Sequence, residues 1–396
     1  MCYAASKLWN VCNYERIHYK ESGMEKYPDW YYQKSHYKDN VWFKSLPSQT
    51  AQEVCKLLDK SWKSFYALKK TGGIENPRPP RFKQSKIAVT YMQNGIRHES
   101  GSEQVRLSIP RKLKEYMKEA YQISDNYLFL KNRIFKDTDR IKQLKLYPPK
   151  DGRCELIAVY EIEDPKMYSD NGHYLSVDLG LHNLMTCYDS CGKSFIMGRN
   201  YLSICRKYDK EIARVQSQWA SQQSKKGIRY PKPSTHVLDL YGKKRNSVRD
   251  YLHKITRSLT DYCAENDIRT VIIGDIRNIR KGTDLGKKNN QKLHSLPYEK
   301  ICAMLEYKLK LKGIRLVKQE ESYTSQCSPY AAEVSRECAQ KGNRKTRGLY
   351  VVKDEVFNAD AVGAYNIMRK YFAVSGIHKD VSVSGLRKTE IIKVAV

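Results

Sequence analysis

Four acidic positions in this chain could do chemistry: Asp178, Asp275, Glu321 and Asp360. Asp178 ends the apolar run "HYLSVDLG", where an unpaired carboxylate beside Leu175 and Val177 would be costly to bury. It is therefore a strand-end turn former or the holder of a cation. Asp275 ends "TVIIGD", Glu320 and Glu321 end "IRLVKQEE", and Asp360 opens "NADAVGAYNIMRKYF". Strand ends and helix N-termini are where α/β folds build their sites. Taken singly, such acids are ordinary turn and cap residues. Several converging together would repel one another unless divalent cations sat between them, and oxygen-only ligation with no nearby His suits Mg²⁺ or Mn²⁺. Two such ions stabilise the attacking and leaving oxygens of phosphodiester hydrolysis.

The global charge points to the same substrate class. Against 43 Asp+Glu stand 72 Lys+Arg, a formal net charge of +29. A polyanion relieves that self-repulsion, and each neutralised phosphate releases counterions. The 30 Tyr add rings able to stack on bases, although many belong to the core. The plain alternative is a solvated basic surface of a generic RNA-binding protein, which explains the charge but not the ordered acids. "RPPRFK" and "YGKKRN" offer Arg81, Lys83, Lys243, Lys244 and Arg245 as phosphate contacts, though charge runs are ordinarily solvated faces. No apolar run reaches the ~20 residues that span a bilayer, and no signal-peptide core is present. Eleven scattered cysteines fit reduced thiols, so a cytoplasmic location and no membrane partner are expected.

The elements that must position these acids fall into three regions. Residues 1–70 read as helical, with Ala51, Val54, Leu58, Trp62 and Phe65 on one face. "TGGIENPRPPRFK" breaks the pattern and marks a boundary. Residues 71–165 read as a small β-rich domain of short strands around one helix, "RKLKEYMKEA". From 166 to 396, consecutive strands give way to alternating helix and strand, an α/β layer with a mixed sheet. His253 falls near the buried face of its helix and reads as a core or phosphate-facing residue rather than a base.

"VDLGLHNLMTCYD", "TVIIGDIRNIRKG", "ESYTSQCS" and "NADAVGAYNIMRKY", in that order, resemble the RuvC-type nuclease core of TnpB proteins, insertion-sequence-encoded RNA-guided nucleases related to compact type V CRISPR effectors. The resemblance is densest from Tyr174 to Tyr371 and reaches weakly back to the start. It implies an RNase H-like (RuvC) fold with a helical recognition domain and a β-rich, wedge-like domain. It also implies cleavage of double-stranded DNA selected by a guide RNA, beside a short motif that the protein itself reads.

Residue by residue, Asp178 matches the family's first catalytic Asp and Asp360 its last, with Asn358 where another acid is usual. The family's middle Glu is replaced by Gly274, before Asp275. Glu321 stands where the family commonly has Pro. A relocated middle acid at Glu321 is the expected rescue, because its strand should lie beside the first in an RNase H-like sheet, with Asp275 the competitor one residue on and on the opposite strand face. The ligand set is then Asp178, Glu321 and Asp360. If neither middle acid serves, the chain is a nuclease-inactive, RNA-guided DNA-binding regulator. A strand-joining transposase fits least, since no separate end-recognition domain is apparent. The family's zinc ribbon is expected here as a degenerate insert at 322–357. Of its two Cys-x-x-Cys pairs only Cys327 and Cys338 remain, with Tyr330 and Lys341 at the partner positions, so zinc is not expected and "KGNRKTRG" reads as a nucleic-acid-touching loop. The family begins with a strand, whereas "MCYAASKLWN" reads as helix, so an upstream start or a decaying copy is expected. "RKGTDLGKKNNQK" (280–292) reads as a lid beside the site.

Overall fold

The computed structural model describes residues 1–72, 74–98, 104–131, 141–150, 154–276, 296–346 and 348–395. The lid expected at 280–292 lies outside the described residues. The chain forms two compact units, 1–163 and 164–396.

The first unit opens with helices α1 (Cys2–His18), α2 (Trp30–His36), α3 (Val41–Lys44) and α4 (Ser48–Thr71). Strands β1 (Val89–Met92), β2 (Ile96–His98) and β3 (Gln104–Ser108) follow, then α5 (Arg111–Tyr121), β4 (Tyr127–Lys131), β5 (Ile141–Leu146) and β6 (Leu156–Tyr160). Two three-stranded antiparallel sheets result, ordered β1-β5-β6 and β2-β3-β4. The helical and β-rich regions, expected as separate domains, share one core: Leu8, Cys12, Leu58 and Trp62 cluster with Val89, Tyr91, Leu107 and Leu144. The physical reason is that α1 and α4 bury their apolar faces against the strands as well as on each other. The Gly/Pro-rich stretch separates no cores; it straps onto α1. Its carbonyls at Pro80, Arg81 and Lys83 accept from the side chains of Asn13 (3.0 Å), Trp9 (3.1 Å) and Asn10 (3.0 Å).

The second unit begins with β7 (Tyr174–Asp178), β8 (Met185–Asp189) and β9 (Ser194–Met197). Helices α6 (Tyr201–Ser224) and α7 (Thr235–Glu265), β10 (Thr270–Asp275), α8 (Tyr298–Leu311) and β11 (Arg315–Glu320) come next. A ribbon of β12 (Arg344–Thr346), β13 (Leu349–Val352) and β14 (Glu355–Asn358) leads into α9 (Ala359–Ser375), and β15 (Thr389–Ile392) closes the chain. The main sheet is ordered β11-β10-β7-β8-β9-β15. Strands β7, β8 and β9 are antiparallel; β10 and β11 add in parallel beside β7, and β15 beside β9. This is the mixed sheet that the RNase H-like expectation requires.

Strand periodicity divides the sheet's two faces. Leu175, Val177, Val271 and Ile273 pack with Leu252, Ile255, Ile301 and Leu305 of α7 and α8. Tyr174 and Ile272 pack instead with Val362, Ile367 and Met368 of α9. A residue on β7 or β10 therefore meets α9 or the α7–α8 layer according to its parity. No described helix is long and apolar enough to cross a membrane.

Candidate active site

A cleft of about 520 Å³ opens at the C-terminal end of β7 and at the turn after β11; Asp178, Asn183, Glu321, Thr324, Arg344 and Asp360 line it. Parity brings the acids there. Asp178 is in phase with Tyr174 and so faces α9. Gly274 is in phase with Ile272 and faces the same way. Asp275 turns back to the other layer, where the Tyr298 hydroxyl of α8 donates to its Oδ1 at 3.3 Å. Gly274 pairs with Gln319 across the β10–β11 ladder, so Glu321, two residues further, returns to the α9 face.

Two glycines make the room. A Cβ built on Gly274 would collide with Glu321 Oε2 and lie 3.0 Å from Ile367 Cδ1, so the carboxylate occupies the notch that the glycine leaves open. A Cβ on Gly363 of α9 would stand 2.6 Å from Asp178 Oδ2. Neither glycine has a positive φ; what each provides is space rather than conformational freedom.

The electrostatics are those of acids short of a counter-charge. Burial and then the charge of Asp360 push the Asp178 carboxyl well above the ordinary range, against a weaker pull from Arg344. Burial raises Glu321 too, followed by Asp178, Asp275 and Glu320, with Lys370 opposing. Glu321 Oε2 is buried with no hydrogen-bond partner among the described residues. Asp360 is better provided for: Asn183 Nδ2 donates to Oδ2 at 2.9 Å, and Arg344 pairs with Oδ1 at 3.0 Å. Asn358 caps α9, accepting from the amides of Asp360 (3.0 Å) and Ala361 (3.1 Å), so it serves as a cap where the family has an acid. The three acids share the cleft without closing on one point: among the described residues no three His, Cys, Asp or Glu stand close enough to hold an ion together. Arg344 and Asn183 engage both oxygens of Asp360. The orphaned buried oxygen of Glu321 and the oxygen-only donor set are what a hard divalent cation would satisfy.

The other sequence candidates are dispersed. Lys83 lies over the Trp9 ring, 4.4 Å from its centroid, while the Arg81 side chain is exposed. Lys243 pairs with Asp239 (2.9 Å) and Lys244 with Asp209 (2.5 Å), leaving Arg245 as the exposed member of its run without an ion pair among the described residues. His253 is exposed rather than core, and its imidazole is held below the ordinary range by partial burial and then by the Lys308 and Arg249 charges. In the insert, Cys327 is buried, bridges Ala339 antiparallel and donates to the Ser335 carbonyl at 3.2 Å. Tyr330 hydrogen-bonds Glu355. All eleven cysteines are free. Residue-level reasoning passed over Asn183 and Arg344. The only available signal for Arg344 was its place in "KGNRKTRG", which says basic loop and not cleft.

The family model OrfB_IS605, described as a probable transposase, matches residues 158–280, and the Cas12f1-like TNB domain matches residues 298–367. A TnpB-like protein of Methanocaldococcus jannaschii is 22% identical over 223 residues, covering 54% of this chain and 74% of its own length. The putative RNA-guided DNA endonuclease InsQ of Escherichia coli K12 is 23% identical over 352 residues, covering 85% of this chain and 77% of its own. The chain is similar to TnpB-family proteins. A Cas12f1–sgRNA–target DNA complex contains a chain with the same fold (TM-score 0.52, 13% identity, 92% of this chain and 80% of that one). The chain thus shares the fold of a compact type V effector chain. Its cleft sits where the two matched regions meet: Asp178 and Asn183 come from the first, Glu321, Arg344 and Asp360 from the second.

Proposed function

We propose that this chain is an RNA-guided DNA endonuclease of the TnpB type, in which Asp178, Glu321 and Asp360 hold a pair of Mg²⁺ or Mn²⁺ ions. The observation that carries the reading is the buried, unpartnered Glu321 carboxylate lying in the Gly274 notch, in one cleft with Asp178 and Asp360. Divalent ions there would supply Lewis acidity and offset the charge of the scissile phosphate. The chain's own groups do the rest. The buried carboxylates concentrate negative charge where a cation binds. Asn183 orients Asp360. Arg344, already directed into the cleft by Asp360, offers N–H groups to a phosphate oxygen of the bound strand. Guide RNA and double-stranded DNA are the partners this reading requires, and +29 of net charge accommodates both.

The test is cleavage of a randomised-flank plasmid library by protein co-expressed with RNA from its own flanking sequence. Loss of cutting in Glu321→Ala with cutting retained in Asp275→Ala supports the ligand set. The opposite pattern moves the middle ligand to Asp275. Guide-dependent binding without cutting, in Mn²⁺ as in Mg²⁺, overturns the enzyme reading in favour of a DNA-binding regulator.

A further inference from the structure

The α6–α7 hairpin ends in a feature that the carboxylate cleft does not use. Beyond a small satellite core of Ile212, Val215, Val237 and Leu240, the connecting turn folds over a cavity of about 720 Å³ walled by Trp219, Ile228, Tyr230, Pro231 and Pro233. Trp219 Nε1 donates to the Lys232 carbonyl at 2.9 Å, fixing the turn against α6, and Ser234 caps α7 by accepting from the Val237 amide. Tyr230 is 83% exposed, with the Arg229 guanidinium 5.4 Å from its ring centroid. An isolated exposed tyrosine means little. This one stands in a stretch with no Asp or Glu from Ile212 to Leu238, among Lys225, Lys226, Arg229 and Lys232. None of those four cations has a carboxylate partner among the described residues, whereas Lys243 and Lys244, lower on the hairpin, are paired.

We propose that this tip is a stacking site for an unpaired base of a single-stranded nucleic acid. Tyr230 is the platform, the Trp219–proline cavity is the slot beside it, and the four free cations collar the flanking phosphates. Aromatic faces accept any base, and cations placed around them track the backbone, so the chemistry selects single strands without selecting sequence. A duplex, with its bases already stacked on one another, offers the ring no partner. The inference stands independently of whether the carboxylate cleft cuts.

The experiment uses the full chain without divalent metal. A twelve-nucleotide oligothymidylate carrying one 5-iodouracil is photocrosslinked to the protein and the adduct mapped by mass spectrometry. Affinity is read in parallel by fluorescence anisotropy for that oligonucleotide and for an abasic strand of equal length. The expected adduct falls on Tyr230 or Trp219. Tyr230→Ala should weaken oligothymidylate binding by about 5- to 150-fold and leave the abasic strand nearly unaffected, while Tyr230→Phe retains affinity. Replacing Lys226 and Arg229 by Ala should weaken both strands and flatten the salt dependence. Adducts confined to other segments, or equal losses for both strands in Tyr230→Ala, overturn the proposal. Because the assay needs no cleavage, an inactive carboxylate cleft and a failed stacking site give different results.

Discussion

At the scale of single residues, the candidate site turns on a fit between two neighbouring strands. Against the pattern of the resembled family, a Gly at position 274 and a Glu at 321 are both legible in the sequence, and so is the parity that turns Asp275 away. What no sequence shows is that the Glu321 side chain lies in the space that Gly274 leaves open; that follows from the β10–β11 register. Arg344 and Asn183 were illegible for a related reason, since their partner Asp360 is fixed by tertiary packing and not by spacing. Gly274 is therefore a demanding position. Gly274→Ala should destabilise the protein by roughly 1–3 kcal/mol, the usual cost of overpacking a filled site, and displace the Glu321 carboxylate. A misplacement of about 1 Å there should reduce the proposed cleavage by about 100-fold. Comparing denaturant midpoints and cleavage rates of Gly274→Ala and Gly363→Ala checks this. Wild-type cleavage by Gly274→Ala would mean that Glu321 is free to sit elsewhere.

At the scale of elements, α9 does more than carry Asp360. Its buried Asn366 gives both amide hydrogens to the carbonyls of Thr324 and Cys327, each at 2.8 Å. Arg369 reaches the carbonyls of Ser328 (3.4 Å), Ala331 and Ala332 (3.3 Å), and Lys370 holds Glu320 and the Ser322 carbonyl. The segment that follows Glu321 is thus tied to one helix face by side-chain donors. The helix itself was plain in the sequence, as were the strands around it, because apolar periodicity is local. Its role as a clamp was not, since one face of "AYNIMRKY" reads equally well as core and as surface. Asn366→Ala should leave two buried carbonyls unpaired, a cost of about 1–3 kcal/mol each, and loosen the segment locally. Hydrogen exchange should show faster exchange at residues 324–332 with β7, β8 and β10 unchanged. Uniform acceleration through the main sheet would instead make Asn366 an ordinary core residue.

At the scale of the whole molecule, charge and organisation were legible to different degrees. The second unit's strands and helices were largely readable along the chain, because each strand is a short apolar run set off by polar turns. Their order in the sheet was not: the Glu321 strand was expected beside the first strand, and β10 stands between β11 and β7. The first unit misled, because a Gly/Pro-rich stretch marks a chain reversal as readily as a domain boundary, and only the shared core of Leu8, Leu58, Val89 and Leu144 tells one from the other. The net charge of +29 has a consequence in either arrangement. Without a polyanion, like charges raise the free energy of the compact state. Added salt screens them, the Debye length shrinking from about 10 Å at 0.1 M to about 3 Å at 1 M, so the melting temperature of the protein alone should rise with salt. With guide RNA present the dependence should reverse. Binding at a hundredfold excess over Kd adds about 2.7 kcal/mol, and salt erodes that increment by restoring the counterions that binding released. Melting curves with and without the flanking RNA, recorded from 0.05 to 0.5 M salt, should therefore converge from opposite directions. Parallel curves, or a melting temperature of the protein alone that falls with salt, would show that the positive charge is dispersed and solvated and that the RNA does not neutralise it.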